Sequence, residues 1–286
     1  MPTIDEKRVY TETSGVETVY LASGLGVVSV SVSDDLIGEF GVRHRCRARD
    51  VATAGPLVAA ATDEDVVLCD RRTDDAASGS AGDPSFAPAG FGPATAVGFR
   101  DGTLLAGDGD GRVASYDVDD DGGTGEGEGV ETGAWAELGT AGAVRGIDGD
   151  FVAAADGAYQ AGASGLRPVG LDDARDVDSE PLVATGAGLY KLGNGWMDVR
   201  PEPATAVDAA GGRGLAVCGG DLYVRESDAG AWVAAGLPFD AEVAAVAHGV
   251  EAAYAVTEAG RIAVRLPGGE WRDRSLGVGD VAAAAV

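Results

Sequence analysis

Lysine is nearly missing from this 286-residue chain: Lys7 and Lys191 are the whole complement, and arginine supplies every other cation. Lysine and arginine together number 21 against 47 aspartates and glutamates, a formal charge of −26. That shortage argues against general nucleic-acid binding and against anionic membranes, because both need a basic field that survives screening. Long apolar runs are also missing. No stretch approaches the roughly 18 to 20 residues of a membrane span, and the opening MPTIDEKRVY lacks the apolar run of a signal peptide, so a cytoplasmic protein is expected. Cysteine is scarce. Cys46, Cys69 and Cys218 are odd in number and scattered through apolar or strand-like runs, which reads as buried thiols without a disulfide or metal role. His44 and His248 lie far apart, so no zinc site, histidine triad or haem pocket can be assembled, and no cofactor is expected. Helical periodicity with caps is almost absent, as are the phosphate-loop and dinucleotide fingerprints.

What is present is a core and a repeat. Hydrophobic residues make up 45% and charged residues only 24%, so the negative charge comes from imbalance and a single folded domain over 1–286 is expected. Short apolar strands recur: TVYLAS, PLVAAAT, TLLAGD, FVAAAD, PLVATG, GLAVCG and AAYAVT, starting near residues 18, 56, 103, 151, 181, 214 and 252. Each is followed by a Gly, Asp or Asn turn and a partner strand such as DVVLCD or GRIAVRL. Third strands are marked by Trp135, Trp196, Trp232 and Trp271. Fourth strands align on Val51, Val97, Ile147, Val177, Val207, Val246 and Ala284, with another apolar residue three positions earlier in most units. Apolar residues on both faces are what a strand enclosed by neighbouring sheets requires. Seven units in this length give about 41 residues each, inside the range of four-stranded propeller blades. The expected fold is an all-β, seven-bladed β-propeller with antiparallel four-stranded blades, six or eight blades being the alternatives.

The chain ends are complementary. It starts on a second-type strand near Val19 and closes on the isolated DVAAAAV, which would complete the first blade from the inside; KRVYTET is either an added outer strand or a competitor for that inner seat. Two stretches break the period, 71–93 and 117–134, rich in Gly, Asp, Glu and Pro. They read as mobile insertions. Asp108, Asp110, Asp117, Asp119, Asp120 and Asp121 lack the fixed spacing of a calcium loop and are expected to be solvated.

Two arginine groups stand out. Two residues before the reference position of the fourth strands lie Arg49, Arg145 and Arg175, one register that points to a common face near the central channel. Guanidinium groups there would bind an anion, or pair with neighbours such as Asp50 and Asp176 to tie adjacent blades. The second group is RHRCRAR. Arg43, Arg45, Arg47 and Arg49 alternate, so in an extended strand they would share one face, either docking an acidic partner or pairing with surrounding carboxylates.

The run PLVATGAGLYKLGNGWMDV resembles the repeat of Asp-box propellers, the superfamily of sialidases and photosystem assembly factors, and ESDAGAW resembles an Asp box one residue short. The resemblance implies structural roles for Asp228 and Trp232. The dispersed acidity resembles that of salt-accumulating haloarchaea, for which molar salt shortens the Debye length to about 3 Å and lets a highly charged coat remain hydrated without repelling itself. The layout as a whole is similar to an uncharacterised haloarchaeal β-propeller family. These likenesses speak to architecture; the lack of an assignable catalytic set and the degenerate, Ala-rich blades point to a monomeric, non-enzymatic interaction or scaffold propeller with a protein partner. The alternative is a sialidase-like hydrolase or lyase on an acidic sugar, with Arg49, Arg145 and Arg175 as clamp, for which no tyrosine and glutamate pair can be assigned.

Overall fold

The computed structural model describes residues 15–72, 85–118 and 135–286. Residues 7–13, 73–84 and 119–134, which hold KRVYTET and most of the two expected insertions, lie outside the described residues, as do Asp119, Asp120 and Asp121. The strands form seven four-stranded antiparallel sheets. Blade 1 is built from both chain ends: β1 (Val16–Ser23), β2 (Gly26–Ser33) and β3 (Leu36–His44) are joined on the inside by β28 (Ala283–Ala285). Tyr20, Leu21 and Ala22 pair with Ala285, Ala284 and Ala283, so the C-terminal strand takes the inner seat. Blade 2 runs outward as β4 (Ala48–Ala54), β5 (Leu57–Thr62), β6 (Val66–Asp70) and β7 (Ala87–Pro88). The inner strands of blades 3 to 7 are β8 (Ala96–Arg100), β12 (Val144–Asp148), β16 (Ala174–Asp178), β20 (Ala204–Ala210) and β24 (Val243–His248).

The second strands are apolar on both faces for a plain reason: neighbouring blades cover both. Phe151–Ala154 and Ala253–Thr257 are buried at every position. Seven apolar clusters fill the seven joints between blades. One joins blades 1 and 7 through Leu21, Val30, Tyr254 and Ile262; another joins blades 5 and 6 through Leu182, Leu189, Val207 and Ala216. Small side chains let the sheets approach. A Cβ added at Gly98 on β8 would lie 2.4 Å from the Ile147 carbonyl oxygen on β12, so blades 3 and 4 close to backbone distance there.

Where the third-to-fourth strand segment of blade 2 resumes, Phe86, Ala89 and Phe91 are buried, and the Asp65 carboxylate accepts hydrogen bonds from the Gly90 and Gly92 amides. Only two residues of it pair as a strand. The Asp-box-like segment forms a turn closed by Gly230 N–H donating to Ser227 O, and Trp232 packs over Gly214. Asp228 does not cap that turn; it pairs with Lys191 Nζ at 2.5 Å, reaching back to blade 5. Asp108 closes its own turn by accepting from the Asp110 and Arg112 amides.

Candidate functional site

Each inner strand opens its blade and runs antiparallel to the second strand, so equivalent residues stand at one height around the channel. In five blades the inner-strand pairing slips at the same place, between Ala48 and Asp50, Val144 and Gly146, Ala174 and Asp176, Ala204 and Ala206, and Val243 and Ala245. The skipped residues are Arg49, Arg145, Arg175, Thr205 and Ala244. A bulge residue has no cross-strand partner and its side chain is re-aimed, and all five line the central cavity of about 330 Å³. The three arginines read from the sequence as one register therefore do share one end of the channel.

Two of them are engaged there. Arg145 Nη1 lies 2.6 Å from Asp173 Oδ1, and Arg175 Nη2 lies 3.0 Å from Asp173 Oδ2, so one carboxylate is shared between guanidinium groups of blades 4 and 5. These hydrogen bonds hold the Asp173 carboxyl below its ordinary range. Arg49 is exposed, and its side chain makes no hydrogen bond or ion pair among the described residues.

Asp50 and Asp176 do not pair with the arginines beside them. Their carboxylates bridge to the next blade: Asp50 accepts from Val51 N–H and, across the joint, from Val97 N–H at 2.9 Å, and Asp176 accepts from Val177 N–H and from Val207 N–H at 2.8 Å. An inner strand has one free edge, and these oxygens satisfy its amides. Farther along the channel Asp178 accepts from Glu180 and Ala209, Asp148 accepts from Ser179, and Asp208 lies 2.6 Å from His248 Nδ1. Burial pushes the Asp50 carboxyl up to about 7 and that of Asp178 up to about 8, the latter also through Asp208 and Asp148. Burial likewise raises Asp176 well above the usual carboxylate range, and Asp148 more modestly. The channel is thus graded, basic where the inner strands begin and acidic along its length. Asp148, Asp178 and Asp208 were not singled out from the sequence; the available signal was an aspartate directly after the reference residues Ile147, Val177 and Val207 of three consecutive inner strands.

The basic run RHRCRAR does not form one strand. β3 ends at His44 and β4 begins at Ala48, because the chain must cross from the outer edge of blade 1 to the inner edge of blade 2, so the four arginines do not share a strand face. Arg43 Nε donates to Ser29 Oγ at 2.6 Å. Arg45 and Arg47 are exposed on the crossing, which leads directly to Arg49 at the channel mouth. The neighbouring turn carries Asp63 and Glu64, which add to burial in raising the Cys46 thiol. Cys46, Cys69 and Cys218 are all free thiols, and burial pushes Cys218 up to about 11.

A sialidase-like site needs a tyrosine and a free acid beside the arginines. Among the described residues no tyrosine lines the cavity, and two of the three arginines face Asp173 instead. No group of three or more metal-ligating side chains occurs among the described residues, and no described helix is long and apolar enough to cross a membrane.

Seven joined sheets around a charge-graded channel define a seven-bladed β-propeller. Residues 3–286 match the model of the family described as Beta-prop_HVO_0234-like, beta propeller, and the chain belongs to that family. Comparison with curated proteins finds no match. Among solved structures the chain is similar to the WD40 β-propeller domain of Doa1, at 13% identity and a TM-score of 0.61, covering 90% of this chain and 87% of that one. It is also similar to the computationally designed Ika8 protein, at 14% identity and a TM-score of 0.57, covering 95% and 90%. A chain of a nidogen/laminin complex aligns at 11% identity and a TM-score of 0.53, covering 95% and 98%. At these identities the likeness is one of fold.

Proposed function

We propose that this protein is a non-enzymatic interaction propeller, and that the channel mouth where the inner strands begin docks an acidic segment of a protein partner. One observation carries the reading. Among the described residues, Arg45, Arg47 and Arg49 are the arginines whose side chains make no hydrogen bond, ion pair or aromatic contact, and they follow one another along a single path to the mouth. In a chain with 47 acidic residues against 21 basic ones, partners for those guanidinium groups are abundant, yet all three are left open. Unpaired arginines on an exposed rim suit carboxylate recognition, which is bidentate and directional. They also steer an acidic segment towards the channel mouth. A partner of this kind fits the general use of propellers as rigid rings of loops, although fold alone assigns no function.

The test is fluorescence polarisation with a labelled oligo-aspartate peptide, at the lowest KCl concentration that leaves the circular-dichroism spectrum unchanged. The variant R45A/R47A/R49A is expected to lose at least about tenfold in affinity, since each bidentate contact to a carboxylate is worth about 1 kcal/mol or more. Equal binding by the wild type and the triple variant would sink the proposal.

A further inference from the structure

The Asp173 carboxylate sits between two channel arginines in a way that a purely structural pair does not require. Its two oxygens each take one guanidinium, from blades 4 and 5, in the arrangement an incoming carboxylate would adopt. The residue lies in the connection before β16 with φ of 50°, left-handed backbone that a non-glycine residue adopts at a cost. Its side chain remains 44% exposed, so water competes for the contact and the pair contributes little to stability. Room for it depends on a missing side chain. A Cβ at Gly186 would lie 2.0 Å from Asp173 Oδ2 and 2.9 Å from Arg175 Nη2. Gly186 N–H also donates to the Asp173 carbonyl at 3.1 Å, which fixes the connection over the site. The third bulge arginine, Arg49, lines the same cavity from blade 2 and has no partner among the described residues.

We infer that Arg49, Arg145 and Arg175 form a carboxylate-binding site at the channel mouth whose resting occupant is the protein's own Asp173, displaced when an acidic segment of a partner enters. The inference rests on the interaction reading above and deepens it: the Arg45 to Arg49 path attracts the segment, and the Asp173 exchange sets how tightly it is held. A competing intramolecular ligand lowers apparent affinity by the fraction of time the site stands free. An exposed shared pair of this kind holds its site closed by a factor of about 3 to 10.

The experiment uses the same labelled oligo-aspartate peptide on the full chain. Asp173→Asn keeps the shape, and asparagine tolerates left-handed backbone well, so the fold is retained. D173N is expected to bind about threefold to tenfold more tightly than wild type, and adding R145A or R175A to it removes the gain. Gly186→Ala serves as a control in the opposite direction: its methyl group would fill the seat of the carboxylate and crowd Arg175 Nη2, so adding it to D173N is expected to abolish the tightening. If D173N binds as the wild type does while R45A/R47A/R49A binds weakly, the interaction reading stands and the Asp173 exchange is refuted. If none of the proteins binds the peptide, both fall. Tightening of inorganic phosphate by D173N with no tightening of the peptide overturns the carboxylate assignment.

Discussion

Acidifying this protein from pH 8 to pH 5 is expected to stabilise it, and the carboxylates of its channel set the size of the effect. Asp50 titrates at about 7 when folded against about 3.8 when unfolded, so the folded state holds a proton that the unfolded chain has already lost. A carboxyl raised in this way contributes stability that is fully present below its unfolded value and lost as pH rises through its folded one. Between pH 8 and pH 5 Asp50 alone contributes about 3 kcal/mol, and Asp178, at about 8, contributes a similar amount taken by itself. Asp176 and Asp148 are shifted the same way. Asp173, Asp228, Asp70 and Asp156 are shifted down and stay ionised across this window, so they do not oppose the trend until pH falls below about 4. For a domain of this length 1 kcal/mol moves the melting temperature by about 2 to 4 °C, so Asp50 alone gives a rise of about 6 °C or more. The assay is differential scanning calorimetry from pH 8 to pH 5 in about 1 M KCl, where general repulsion among the surface acids is screened to about 3 Å. Asp50→Asn and Asp178→Asn should each remove their share of the slope, whatever they do to the absolute melting temperature. A melting temperature that does not rise on acidification, or a D50N/D178N slope equal to that of the wild type, refutes the assignment of buried protons to the channel.

Gly98→Ala forces a methyl group against the Ile147 carbonyl and is expected to cost about 2 kcal/mol or more, read as a drop in thermal midpoint, whereas Gly55→Ala, with open space around it but φ of 56°, pays only backbone strain. Removing Asp280–Val286 strips β28 from blade 1 and the Val286 carbonyl from Thr53 Oγ1; limited proteolysis of the truncated chain should then cut first in blade 1. Trp232→Ala uncovers Gly214 and buried Arg225 and, since Trp232 is only partly buried, is expected to cost about 1 to 3 kcal/mol by chemical denaturation.

The repeat was legible because every blade writes the same physics into its second strand: enclosure on both faces leaves room only for short, small, apolar runs. The expected starts near residues 103 and 151 coincide with strands beginning at Thr103 and Phe151. Outer strands were less legible, since they carry one apolar face and have solvent on the other. SFAPAGFG pairs over two residues only, because Phe86 is drawn into the joint with blade 1 and Phe91 into the joint with blade 3, and the backbone beside Phe91 is held by Asp65. At the site, the arginine register could be aligned from the sequence, but the bulges that turn those residues into the channel left no residue-type signal, being filled by Arg, Thr and Ala alike. Asp173 was invisible for another reason. It belongs to no strand, and although Arg175 stands two residues farther along the chain, Arg145 reaches it only across the joint between blades 4 and 5. Asp50 and Asp176 were noticed, but as partners for the arginines; that an inner strand's bare amides claim them first follows only once the strands are placed side by side.

Because some seams between blades are closed by direct backbone packing and others by side-chain hydrogen bonds, the ring behaves as a hoop with stiff and compliant sectors. Blades 3 and 4 meet backbone to side chain at Gly98 and at Gly107 against Val144, a contact with no play in it. Blades 5 and 6 are linked by the Asp176 and Asp178 oxygens, and blades 6 and 7 by the Asp208 to His248 contact, side-chain hydrogen bonds that a rotation of the side chain releases. Movement of the hoop is therefore expected at these polar seams, and exchange at the Val207 and Ala209 amides, slow while the Asp176 and Asp178 oxygens hold them, should quicken in Asp176→Ala and Asp178→Ala. The arc containing Gly98 acts as the fixed frame against which that movement is taken up.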